Sequence, residues 1–469
     1  MQKIAMLILC AGMCANAAAQ AIDPFANSQL PPPAGYSGPV FALSHAYPAG
    51  QAVPAMPWRA AISNGQITTA NAGAYAEALK ASIGADMRVM LLDYKNWNAG
   101  ERGWYNEPWM GATSVAKKRA TMREPLRGMY VGTAELDADL FKASGLKRPI
   151  TTYVLTYYDK TAAVTLNKVW GATAQEPNLT AQSTQFAEGS VIIKAAFITA
   201  GPTLWPVMQG TVSWPVYVSV NATLPKPPTA PALTNTYLMQ FDIIVKDSVS
   251  APKTGWVFTT LVYDARAAIS GDIWDKMVVL GAQWGNDPQA SDPAILKPVL
   301  QENWMNPKAP AYGSATLGWG GRLSGPNDGA MNNIAYPEGK KPTLKYARNG
   351  QSSSCMSCHS SAQWNVASHS MPSFLLPILN SGSIQRPAPQ NGADFTLSPA
   401  PGSALWMKWF QNRKGDVPMD AGSIAGDFDM VLTFKSLPNW YSSTQTPGVA
   451  HTLMNFDLRG KRLPGKEAE

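Results

Sequence analysis

Between residues 150 and 290 the chain repeats one pattern, in which short runs of β-branched and aromatic residues are separated by turn residues. That pattern predicts strands over 151–158, 190–198, 211–220, 237–245 and 256–263. Four prolines (Pro225, Pro227, Pro228 and Pro231) between two of these runs predict a long loop over 221–233. Upstream, Tyr75, Leu79 and Ile83 recur about one helical turn apart and predict a helix over 72–83. Residues 22–70 are rich in Pro, Ala and Gly and read as irregular. After about residue 310 turn residues dominate again, in 318–326 and 385–404, with one short apolar helix candidate at 405–411. The expectation is a mixed, mainly β chain in three parts. An irregular or α+β region covers 22–149, an antiparallel sandwich-like body 150–309, and a loop-rich, short-helix unit 310–469. The third part has a composition that does not easily build a core without something large to pack around.

The N-terminus breaks the pattern. Lys3 gives a short positive start, an apolar run covers 4–15, and Ala19-Gln20-Ala21 supplies a small-residue cleavage site, with Ala15-Asn16-Ala17 as an alternative. This is the layout of a secretory signal peptide over 1–21, and the run is too short to span a bilayer. The expected location is periplasmic or secreted. Cleavage also removes Cys10 and Cys14, so that Cys355 and Cys358 are the only cysteines of the mature chain. Two cysteines in an exported protein of this size do not make a disulfide scaffold.

Composition narrows the classes further. Of 469 residues 45% are apolar and 15% charged, which excludes a coiled coil and a disordered chain. The formal charge of +7 is spread without long basic blocks. This argues against nucleic-acid binding and leaves a mild preference for an acidic redox partner or an anionic surface.

The chemistry concentrates in Cys355-Met356-Ser357-Cys358-His359. C-x-x-C-H is the attachment sequence of c-type haem. Two thiols three positions apart reach the two vinyl groups on one porphyrin edge, and the next residue places its imidazole under the iron. Competing readings fit less well. A thioredoxin-like pair usually has an aromatic neighbour, whereas Ser352-Ser353-Ser354 precedes Cys355 here. A structural zinc site needs four ligands, and beyond the thiols the chain offers only His45, His359, His369 and His451. A plain disulfide within the motif is the third alternative. The reading is one covalently attached haem c, with Cys355 and Cys358 as anchors and His359 as proximal ligand.

Several further blocks accompany the motif: Trp104-Tyr105 to Trp109-Met110, Arg123-Glu124-Pro125, Gly255-Trp256-Val257-Phe258 with Val262-Tyr263-Asp264, Trp284-Gly285-Asn286-Asp287-Pro288, and Gly318-Trp319-Gly320-Gly321-Arg322-Leu323. Together the chain resembles a family of large exported bacterial cytochrome c domain-containing proteins over about residues 100–430. The resemblance implies one c-type haem and no particular substrate. The segment between Pro326 and Ser352 is longer than the resemblance leads one to expect.

The second axial position has several candidates. Met371-Pro372 resembles the Met-Pro context of distal ligands in small cytochromes c, and Met371 is the expected second ligand. His369, Met419 or a later methionine, or an open site, are the alternatives. Arg322, Lys340, Lys341, Lys345 and Arg348 read better as a solvated loop than as propionate or partner contacts. Trp364, Phe374, Trp406 and Phe410 suit core packing as well as haem lining. Asp264 and Asp287 sit beside turns and read as turn residues rather than acids or bases. The resulting expectation is a monohaem c-type cytochrome carrying single electrons. A haem-dependent oxidoreductase, peroxidase-like or oxygenase-like, and a haem-based sensor or binding protein are its rivals.

Overall fold

Side chains on extended backbone point alternately to opposite faces, and this alternation organises the centre of the protein. The computed structural model describes residues 23–444 apart from 29, 51–52, 64, 111–122, 137, 227–229, 268–270, 289–298, 316–333, 336–344, 347–354 and 370–407. Its main sheet has nine strands: β1 (Trp104–Tyr105), β2 (Tyr130–Leu136), β3 (Ile150–Asp159), β4 (Val191–Ile198), β5 (Ser213–Val218), β6 (Ala232–Lys246), β7 (Trp256–Tyr263), β8 (Met277–Gln283) and β9 (Asn303–Met305). The hydrogen-bonded path is β1-β3-β4-β6-β7-β8-β9, with β2 also on β3 and β5 also on β6. Every pairing is antiparallel. The long β6 explains the crossover, because its first half pairs with β5 and its second half with β4.

Both faces of the sheet are buried. One face carries Tyr157, Ile193, Ala195, Phe241, Ile243, Val257 and Leu261, covered by α1 (Ala72–Leu92) through Tyr75, Leu79, Met87 and Met90. The other carries Tyr158, Ile192, Ile244 and Phe258, covered by α2 (Lys160–Trp170) and by segments from the C-terminal third. Strands buried on both sides read as the continuous apolar runs seen in the sequence. Each large side chain removed from water in this way stabilises the fold by about 1.5–3 kcal/mol.

The sequence expectations hold for the antiparallel body and are corrected in its architecture. The body is a single sheet with helices on it, a mixed α/β arrangement, rather than a two-sheet sandwich. Its two faces are each covered by helix or C-terminal chain, so a second sheet has no face to occupy. The helix expected over 72–83 continues to Leu92, because apolar positions at Met87, Met90 and Leu91 extend the same stripe. Helix α2 follows β3 directly and was not anticipated. Asp159 caps it, accepting from Ala162 N at 2.8 Å, and Gly171 ends it in a left-handed turn at φ 59°. Among the described residues no separate loop-rich, short-helix unit stands apart. Cys355, Met356, Trp364 and the stretch from Phe428 to Tyr441 pack onto the α2 face of the sheet. The 405–411 helix is described only as a short 3-10 turn at Lys408–Phe410.

The N-terminal segment is tied down by one buried carboxylate. Asp247, at the end of β6, accepts hydrogen bonds from Trp58 Nε1 (3.1 Å), Arg59 Nη2 (2.6 Å), Tyr75 Oη (2.8 Å) and Ser250. Burial works to raise its pKa, but the Arg59 hydrogen bond and its other donors win and hold it below the usual carboxylate range. No described helix is long and apolar enough to cross a membrane.

Candidate functional site

The C-x-x-C-H sequence forms one helical turn, α3 (Cys355–His359), lying on the α2 face of the sheet. Met356 and Ser357 are fully buried in the turn, and Met356 anchors it beside Trp364, Phe428 and Leu432. Its backbone N–H meets Gln283 Oε1 of β8 at 3.3 Å. Cys355 and Cys358 are half-buried and are not joined in a disulfide. A helical turn places residues three and four apart on the same side, so Cys355, Cys358 and His359 share one side of α3, although among the described residues no three His, Cys, Asp or Glu side chains are grouped to hold a metal ion.

A second segment completes the site. Gln363–Trp364 pairs with Ile424–Ala425, and Gly426 N donates to Ala362 O at 2.8 Å, which brings the turn at 426–429 against α3. Asp427 and Phe428 both adopt left-handed backbone, at φ 46° and 66°. Such conformations are costly for residues with a side chain and persist only where surroundings over-determine them. Here Asp427 is fully buried and grips Lys246 Nζ at 2.6 Å, Trp256 Nε1 at 2.7 Å and Phe186 N at 2.7 Å. Asp429 in turn accepts from Tyr158 Oη (2.9 Å), Val431 N (2.8 Å) and Leu432 N (3.1 Å). It caps the helical stretch that continues through a π-helical turn, Leu432–Ser436, into α4 (Leu437–Thr444).

Between these two clamped aspartates, the Phe428 carbonyl lies 2.7 Å from His359 Nδ1. A carbonyl oxygen only accepts, so Nδ1 carries the proton and Nε2 keeps its lone pair. This is the tautomer of an imidazole ready to ligate a metal through Nε2 with its other nitrogen held by an outer partner. The ring packs edge-on against Phe258, centroids 4.7 Å apart. Burial pushes its pKa down to about 4, more than the Phe428 hydrogen bond raises it, and the nearby Lys194 ammonium adds to the lowering.

Lys194 belongs to a polar row that crosses the sheet on this same side. Thr156, Lys194, Asp242 and Thr260 stand opposite one another on β3, β4, β6 and β7. Lys194 Nζ and Asp242 form an ion pair at 2.6 Å, and Asp242 also accepts from Thr260 Oγ1 (2.7 Å) and Gln240 Nε2 (2.8 Å). Lys194 lies close enough to Cys355 for the two to interact electrostatically.

The structure places Cys355, Cys358 and His359 on the single turn of α3. Met371, the expected second ligand, lies outside the described residues, as do residues 1–21, Arg322, Lys340, Lys341, Arg348, Phe374 and Trp406. His369 stacks on Tyr441, centroids 4.2 Å apart. Met419 is half-buried, and Trp364 and Phe410 are buried. Asp264 is a turn residue as expected, accepting from Arg266 N, whereas Asp287 accepts from the distant Gln301 N and Glu302 N and ties two segments together rather than closing a turn. Sequence reasoning missed Asp427, Phe428 and Asp429, since a carbonyl acceptor has no sequence signature. It also passed over Lys194 and Asp242, although single charges inside otherwise apolar strands were visible.

Two buried ring nitrogens that follow the motif, Trp364 Nε1 and His369 Nδ1, have no hydrogen-bond partner among the described residues. Unpaired buried donors are costly, and a site that a further polar group completes leaves its donors in this state. Cys355, Cys358 and His359, with its proton on Nδ1, are the residues that would hold a c-type haem.

The environment of His359 makes a pH prediction. A folded-state pKa below the ordinary value means the folded state favours the neutral ring. That contribution to stability is complete above about pH 6.5 and is lost as pH falls toward 4. Urea midpoints of haem-free protein are expected to drop over that interval, and His359→Phe is expected to flatten the drop. Equal slopes for the two chains would refute the assignment.

Comparison with protein-family models, with curated proteins and with solved structures finds no match to this chain.

Proposed function

We propose that this chain is an exported monohaem c-type cytochrome that carries single electrons. The observation that carries the reading is the C-x-x-C-H turn with His359 Nδ1 tied to the Phe428 carbonyl, which leaves Nε2 directed to ligation. In this reading Cys355 and Cys358 hold the haem by thioether bonds, His359 is the proximal ligand and Met371 the distal one. When bound, the haem supplies a one-electron iron couple. The rest of the site limits reorganisation. Phe258 and Phe428 pack around His359, and the clamped 426–429 turn fixes its rotation. A redox partner of acidic character matches the positive charge of the chain.

The specific observation favouring a haem-dependent oxidoreductase is the Lys194–Asp242 pair beside the motif, because an ionic pair is an expensive feature to bury for electron transfer alone. One experiment separates these readings. The full chain, expressed in a host competent for cytochrome c maturation, is expected to gain the mass of one haem. Its reduced spectrum is expected to be six-coordinate and unchanged by carbon monoxide. A mass equal to the bare chain refutes haem attachment. One added haem with rapid carbon monoxide binding refutes the carrier and supports the enzyme.

A further inference from the structure

The turn that faces His359 holds a costly backbone. Asp429 N donates to Gly426 O at 2.8 Å, and both residues between them, Asp427 and Phe428, are left-handed. Turns with two left-handed central residues are ordinarily filled by Gly, Asn or Asp. Phe428, at φ 66°, puts a bulky side chain where one is seldom found. Strain kept at a site points to a use for the group it displays. The group displayed here is the Phe428 carbonyl, 2.7 Å from His359 Nδ1.

The sheet sets where that carbonyl lies. Tyr158 is fully buried on β3, and its hydroxyl lies 3.0 and 2.9 Å from the two Asp429 carboxylate oxygens. Asp429 is also fixed by Val431 N and Leu432 N, and Thr433 Oγ1 donates to its backbone carbonyl at 3.0 Å. Gly426 permits this close approach, because a Cβ there would collide with the Thr433 methyl. The Phe428 ring packs against Trp256 and Phe258, with centroids 6.2 and 6.1 Å away. A hydroxyl from β3 thus grips the residue next to the carbonyl that orients His359.

We propose that Tyr158 is a positioning residue for His359: through Asp429 it holds the Phe428 carbonyl against Nδ1, and so sets the reduction potential of the iron that His359 holds. This rests on the haem reading above. A firmly held acceptor draws the Nδ1 proton toward itself and makes the ring a more basic donor through Nε2. A more basic donor favours ferric over ferrous iron, and a looser carbonyl does the reverse. The hydroxyl is neutral, so its removal changes position without changing charge.

The test is the midpoint potential of the haem-loaded full chain carrying Tyr158→Phe, which keeps the ring and its stack on Phe186. At a fixed applied potential the ratio of reduced to oxidised iron is expected to rise about tenfold, the lower end of what losing an outer-shell partner does at metal sites. For one electron that is a shift of ~59 mV upward. Tyr157→Phe removes a hydroxyl from the opposite face of the same strand, where it accepts from Trp97 Nε1 at 3.1 Å, and is expected to leave the potential in place. In the haem-free Tyr158→Phe chain the Nδ1 proton of His359 is expected to exchange faster by NMR. Should Tyr158→Phe fail to fold, Asp429→Asn and Asp429→Ser form a second pair. Both lose the same charge and still cap the helix, but only the longer Asn reaches the Tyr158 hydroxyl. The Ser variant is therefore expected to have the higher potential. An unmoved potential in folded Tyr158→Phe, an equal shift in Tyr157→Phe, or equal potentials for the Asn and Ser variants overturns the proposal while leaving the cytochrome reading intact. A chain that carries no haem overturns both.

Discussion

Replacing Cys355 and Cys358 together by alanine is expected, on the proposed reading, to take the haem carried per chain from one to none. Thioether formation adds a thiol across a vinyl double bond, with the sulfur going to one carbon and the hydrogen to the other. Alanine has nothing to add. Mass spectrometry of the exported protein reads the outcome directly. Either single variant retains one thiol and is expected to give a chain with one thioether and a shifted spectrum. The double change should also have a local structural cost. Cys355 packs at the edge of the cluster formed by Met356, Trp364, Phe428, Leu432 and Leu437 with α2. The cluster on the α1 face contains no described residue beyond Tyr312. Hydrogen exchange is therefore expected to speed up over 355–364 and 424–444, while β3, β4, β6 and β7 retain their protection. Uniform loss of protection across the sheet would contradict this division.

Asp427→Ala is expected to destabilise the fold by about 3–5 kcal/mol, the range for breaking one side of a buried ion pair. Three groups lose their acceptor at once: the Lys246 ammonium, whose side chain is 13% exposed, the Trp256 indole and the Phe186 N–H. None of these has an easy route to water. Gly415 records how closely the neighbouring chain approaches, because a Cβ there would collide with Asp427 Oδ1. The same change frees the left-handed turn that presents the Phe428 carbonyl, so the Nδ1 proton of His359 should exchange faster by NMR. Urea denaturation gives the stability loss. A loss under about 1 kcal/mol, the ceiling for exposed pairs, would show that the clamp is not formed as described.

These two expectations draw on different levels of the chain. The C-x-x-C-H spacing is local, and a single helical turn is enough to group its three side chains. Strands such as 256–263 were legible because both their faces are buried and the residues are apolar throughout. Helix α2 was harder to see. Its start depends on Asp159 serving as cap to α2 while also accepting from Val191 N at the edge of β4. The sandwich expectation failed because continuous apolar runs say that both faces are covered without saying by what.

The sequence by itself determined five of the antiparallel strands, the first helix and the C-x-x-C-H spacing, since each follows from residue types within a few positions of one another. Only the tertiary structure decided what stands against His359. Phe428 lies 69 positions away, and its partner atom is a backbone carbonyl that every residue possesses. The turn that aims this carbonyl depends on Lys246 and Trp256 from adjacent strands and on Tyr158 from β3. Long-range pairing of this kind reflects the register of the sheet and the packing of its faces, and neither is written in any single stretch of chain.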